Sequence, residues 1–155
     1  MGFGFKYGKT GGWIWRPFSN FNYFYDSTPT NDFVSLIYWS IVTVATFTID
    51  IYEAACVLVI AFLVNELVMH EFKDGYSNGM GSSYVFNVQA GYCSYHYFIK
   101  RNQNWGVFLT AWIVNCSNTS MSLRAMTGSG GSMVGNREHL YGHIFGMLLG
   151  FVFDF

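Results

Sequence analysis

The sequence predicts an all-α integral membrane protein, a small bundle of about three to five transmembrane helices behind an irregular aromatic-rich N-terminal segment. Three observations carry that reading. Only 11% of the 155 residues are charged, against about 25% in ordinary soluble domains. Aromatic residues make up 21% of the chain. A long apolar run, FVSLIYWSIVTVATFTIDIYEAACVLVIAFLVNELVM, fills positions 33–69, and Asp50, Glu53 and Glu66 are its only acids. The mean hydropathy is a modest +0.25, because the apolar mass sits in Phe, Tyr and Trp. A soluble or peripheral aromatic-rich module is the competing class.

Residues 1–32 form a leader rich in Gly and aromatic residues, in which Pro17 and Pro29 argue against a long helix. Trp13, Trp15, Tyr23 and Tyr25 suit a membrane interface or the surface of a partner subunit. An apolar secretory core is missing from positions 1–18, and cleavage of a presequence is not expected. Residues 27–32 then supply N-cap candidates for the first helix.

The membrane segments are expected near 33–49, 51–69, 84–99, 105–123 and 140–153. Positions 33–69 as one helix would rise roughly 55 Å, beyond a hydrocarbon core of ~30 Å. A break near Thr48 to Asp50 is therefore expected. Residues 70–83, with Gly75, Gly79 and Gly81, read as a loop. Tyr84 to Ile99 has no formal charge but contains Asn87, Gln89 and His96, which leaves a strand pair and a poor membrane helix both open. Trp105 to Ser122 is uncharged and long enough to cross a bilayer, although Asn115 to Ser120 is strongly polar. The stretch TGSGGSMVGN reads as a linker before a short apolar segment, 140–153.

Several function classes fall away on composition. A net charge of −1 with no basic stripe gives no footprint for nucleic acid. Cys56, Cys93 and Cys116 are odd in number and widely spaced, and read as small buried hydrophobes rather than disulfide or zinc ligands. His139 and His143 stand four apart, as two metal ligands on one helix face would. Leu140 occupies the place where a metalloprotease carries its glutamate, so no metal and no cofactor are expected.

An acid within an apolar run is a functional candidate by default. Asp50 and Glu53 share a face if their helix is continuous, and the alternative role for Asp50 is to cap a broken helix. Glu66 and His70, four apart, can form a proton-exchanging pair. The proton-relay candidates are therefore Glu53, Asp50, Glu66 and His70. Glu53 leads, because it heads the uncharged run from Ala54 to Asn65.

Glu53-Ala54-Ala55 followed by Leu58, Ile60 and Ala61 resembles the last helix of NADH dehydrogenase subunit 4L. The resemblance implies a small subunit of a mitochondrial respiratory complex, of the complex I kind, with Glu53 as one link in a chain of proton-relaying groups. It also implies residence in the inner membrane among lipid and other membrane subunits. That family carries a second glutamate on the preceding helix, where Phe33 to Ile49 has none. Ser122-Leu123-Arg124, Asn136 and Gly142-His143 are similar to a stretched form of the arginine helix in ATP synthase subunit a. An accessory structural subunit of either assembly, without catalytic residues, is the alternative.

Overall fold

The computed structural model describes residues 29–65, 83–127 and 133–155. These form α1 (Pro29–Ile49), α2 (Ile51–Val64), α3 (Ser83–Ser94), α4 (Trp105–Thr127) and α5 (Met133–Phe153). A five-residue π-helical stretch, Tyr95–Ile99, continues α3. The leader before Pro29, the Glu66–His70 pair and the GSGGS linker lie outside the described residues.

α1 and α2 are separated by one residue. Asp50 leaves the helical region at φ −158° and ψ 127°, and its Oδ1 accepts from the backbone N–H of Tyr52 and of Glu53, each at 2.9 Å. Two of the donors orphaned at the start of α2 are satisfied in this way. α4 begins on the same device, with Asn104 Oδ1 accepting from Gly106 N at 2.9 Å and Val107 N at 3.2 Å.

The integral membrane bundle is not supported. No described helix is both long and apolar enough to cross a membrane. α2 is apolar but only 14 residues long, about 21 Å at 1.5 Å per residue. The 23-residue α4 is long enough but carries Asn115 to Ser120 and Arg124. α1 opens on Thr30, Asn31 and Asp32, and α5 carries Asn136 to His139 in its first half.

The centre of the fold is α3, the stretch for which strand and helix had both stood open. Every residue from Tyr84 to His96 is buried. On one side Val85, Val88 and Tyr92 pack with Val57 and Ala61 of α2 and Leu149 of α5. On the other, Phe86 and Ala90 meet Val42 of α1 and Val114 of α4. Cys93 closes a third cluster with Ala45 and Val107.

A helix enclosed on all sides must place its polar groups against neighbours. Gln89 Oε1 accepts from Thr43 Oγ1 at 3.2 Å, and Ser94 Oγ accepts from Asn115 Nδ2 at 2.8 Å. Thr46 Oγ1 lies 3.6 Å from Cys93 Sγ. The polar half of α4 thus turns Asn115 toward α3. The outer faces are apolar instead: Ile37, Ile41 and Val44 on α1, and Ile144 and Leu148 on α5, are exposed.

α3 and α5 run parallel and touch backbone to backbone. A Cβ built on Gly146 would lie 1.8 Å from the Val88 carbonyl oxygen, and one on Gly91 would lie 1.9 Å from that of His143. Gly142, Gly146 and Gly150 recur every fourth residue and so share one face of α5. That face is what admits α3 so closely.

Candidate functional site

The site forms where α2 begins and α3 ends. Glu53 sits in the first turn of α2, and the cap at Asp50 fixes that turn. The Glu53 carboxylate points across to α3, where its Oε2 accepts a hydrogen bond from the Tyr92 hydroxyl. His96 lies one turn beyond Tyr92 on the same face. Its Nε2 stands 3.8 Å from the same Glu53 oxygen, too long for a hydrogen bond. The Tyr92 and His96 rings pack at 4.5 Å between centroids, tilted by 58°.

The three side chains differ in burial. Tyr92 is fully enclosed and His96 is 4% exposed, whereas the Glu53 side chain is 31% exposed. Burial raises the Tyr92 hydroxyl far above its ordinary value, and the hydrogen bond to Glu53 raises it further, so it stays protonated and donates. Burial, then the Lys100 ammonium, lowers His96, while Glu53, Asp154 and Asp50 act in the opposite sense. A buried imidazole nitrogen without a hydrogen-bond partner therefore faces a partly wet carboxylate. The arrangement suits passage of one proton between solvent and the bundle interior: Glu53 can take it up, and His96 Nε2 is the next acceptor within a small side-chain rotation.

A second polar group adjoins this one. Tyr95 OH donates to Asp154 Oδ2 at 2.6 Å, and the Lys100 ammonium binds Asp154 Oδ1. The Tyr95 ring meets His96 edge-on at 5.5 Å. The backbone around Lys100 is fixed by Lys100 N to Tyr95 O at 3.1 Å and Asn102 N to His96 O at 2.8 Å. Arg101 takes the left-handed conformation, φ 57°, that ends the π-helical stretch.

No family model matches the sequence, and no curated protein or solved structure does.

Of the four acids and bases singled out in the sequence, the structure places two. Glu53 is at the centre of the cluster. Asp50 is exposed and spends its carboxylate on the helix cap, and Glu66 and His70 fall outside the described residues. The continuous helix that would set Asp50 and Glu53 on one face does not form, because Asp50 is the non-helical residue before α2. Tyr92 was missed, and its signal was the i, i+4 spacing with His96. The reading of all three cysteines as buried needs correction: Cys93 is buried, but Cys56 and Cys116 are exposed. Burial pushes the Cys93 thiol up to about 12, which leaves it inert as a nucleophile.

Among the described residues no group of three His, Cys, Asp or Glu could hold a metal ion. His143 is 4% exposed, neither ring nitrogen has a hydrogen-bond partner, and burial lowers it from 6.5 to about 4. The unfolded chain takes up that proton as pH falls below 6.5, and the folded chain only near 4. Stability should therefore be unaffected by His143 above pH 7 and fall by about 3 kcal/mol between pH 6.5 and 4. Denaturant titrations at pH 7 and pH 4 check this: His143→Phe should remove most of the difference, and an equal difference in the variant would assign it elsewhere.

Proposed function

We propose that this chain is a small, non-catalytic subunit of a mitochondrial respiratory complex, of the NADH dehydrogenase kind, which carries a proton-exchange site at Glu53. The observation that carries the reading is the shared oxygen: Glu53 Oε2 takes the Tyr92 hydroxyl and faces the unpartnered Nε2 of the buried His96. Glu53-Ala54-Ala55 is also where the sequence resembles subunit 4L, and in that resemblance the glutamate is the relaying acid. Exposed Ile, Val and Leu side chains along α1, α2 and α5 support a subunit whose outer faces are covered by partners.

In the exchange, a proton from water binds Glu53, whose side chain is about a third exposed to solvent. The Tyr92 hydroxyl keeps Oε2 oriented. Transfer then breaks the O–H bond at Glu53 and forms an N–H bond at His96 Nε2, leaving a carboxylate beside an imidazolium with no net change in charge. Affinity capture of the tagged chain from inner-membrane extracts tests the assignment to an assembly. The eluate should oxidise NADH with transfer of electrons to a quinone. An eluate containing the chain in a stable complex without electron-transfer activity would overturn it.

A further inference from the structure

The Lys100–Asp154–Tyr95 group is not used by the exchange just described, yet it is built against the same histidine. His96 and Lys100 are four residues apart, with Lys100 tied to Asp154 at the end of α5. Tyr95 links the two groups, its ring edge on His96 and its hydroxyl on Asp154. Two short sequence segments far apart in the chain, Tyr95–Lys100 and the last residues after α5, are thereby clasped beside the Glu53 site.

We propose that Lys100 and Asp154 are positioning residues of the Glu53–Tyr92–His96 site: the clasp holds one cation and one anion at its outer side and governs when His96 accepts a proton. The proposal rests on the reading of that site as a proton exchanger. The groups around His96 are Glu53 from α2 and Asp50 at its cap, Tyr92 and Tyr95 from its own helix, Lys100, and Asp154 just after α5. α1 and α4 bring it no charged side chain among the described residues. Lys100 opposes a charge on His96 and Asp154 favours one. With both present their effects offset, and losing either partner would swing the site in a different direction. Lys100 is half-exposed and Asp154 a quarter-exposed, so salt should weaken both effects.

The test is an NMR titration of the His96 ring in the full chain, its signal assigned by loss in His96→Gln. Lys100→Met should raise the His96 midpoint, because the repelling ammonium goes while Asp154 stays. Asp154→Asn should lower it, because the attracting carboxylate goes and Lys100 loses its neutralising partner. Both displacements should shrink at high salt, and Lys100→Arg should restore the wild-type midpoint. A merely structural clasp would behave otherwise: opening it from either side would hydrate His96 and move the midpoint upward in both variants. Midpoints moving the same way, or not at all, would overturn the proposal. Because the titration needs no partner subunit, its failure is distinct from failure of the exchange reading, which is decided by proton movement in the assembled complex.

Discussion

Glu53→Gln should leave the bundle folded and reduce proton movement through the chain by tenfold or more. Glutamine has the shape of glutamate, and its carbonyl oxygen can still accept from the Tyr92 hydroxyl that now binds Oε2. It cannot take up a proton at neutral pH, so the step between solvent and His96 is lost. A positioned acid or base contributes typically 10²–10⁴-fold to a proton transfer, and tenfold is a conservative floor. The stability cost should be small, within about 1 kcal/mol. A first-turn carboxylate gains roughly 0.3–1 kcal/mol from the helix N-terminus, and Glu53 is partly wet.

The measurement is proton uptake per electron transferred, in vesicles reconstituted with the complex that contains the variant chain. Asp50→Asn is the comparison, since asparagine also caps helices well: it keeps the cap that Asp50 makes and removes only the charge that the exposed Asp50 presents to His96. Unchanged coupling in Glu53→Gln would reduce Glu53 to an anchor for Tyr92 and favour the accessory structural role. Tyr92→Phe should give an intermediate result: the acid remains, but its oxygen loses the donor that orients it.

What could be read in advance depended on the range of the interaction. The break near Thr48 to Asp50 was expected from helix length against a bilayer, whereas what makes it is local: Asp50 caps α2 through the N–H groups of Tyr52 and Glu53, the role that had been its alternative. Glu53 stood out because an acid heading an apolar run is rare. The central place of α3 was not legible. A helix buried on every side has no polar face, so its sequence lacks the period of 3.6 that marks an amphipathic helix. Asn87, Gln89 and His96 looked like flaws in an apolar segment, and the groups that meet Gln89, Ser94 and His96, such as Thr43, Asn115 and Glu53, lie 21 to 46 positions away.

The membrane reading failed on an interplay of length and polarity. Composition reported apolar surfaces correctly, as the exposed Ile37, Ile41 and Val44 show. It could not report that no described helix joins sufficient length to sufficient apolarity, or that the polar run in α4 lies inside a helix rather than at its end. The glycines of α5 were visible but were read for Gly142-His143 alone. Their four-residue recurrence was the signal for close helix contact.

That contact gives the largest stability loss expected from a substitution. Gly146→Ala puts a methyl group where the Val88 carbonyl oxygen already lies 1.8 Å from the Cβ position, with Tyr92 N at 2.9 Å. Both are backbone atoms of a buried helix, so no side-chain rotation can relieve the clash and α3 and α5 must move apart. Alanine is favoured over glycine in a helix by about 1 kcal/mol, and that gain partly offsets the strain. Overpacking of a closed interface costs typically 1–3 kcal/mol and occasionally more. A net loss of about 2 kcal/mol lowers Tm by ~4–8 °C for a chain of this size.

Gly91→Ala meets the His143 carbonyl oxygen at 1.9 Å and should cost a similar amount. The double variant should lose less than the sum, because the two contacts lie on one interface and separating the helices for the first methyl relieves the second. Gly106→Ala is the reference, since its Cβ would approach only the Asn104 side-chain oxygen, at 3.3 Å. Thermal melts followed by circular dichroism on the four variants and the wild type decide the matter. A neutral or stabilising Gly146→Ala would mean that α3 and α5 are not held at backbone contact. Tyr92 and His96 would then lose the rigid helix that presents them to Glu53.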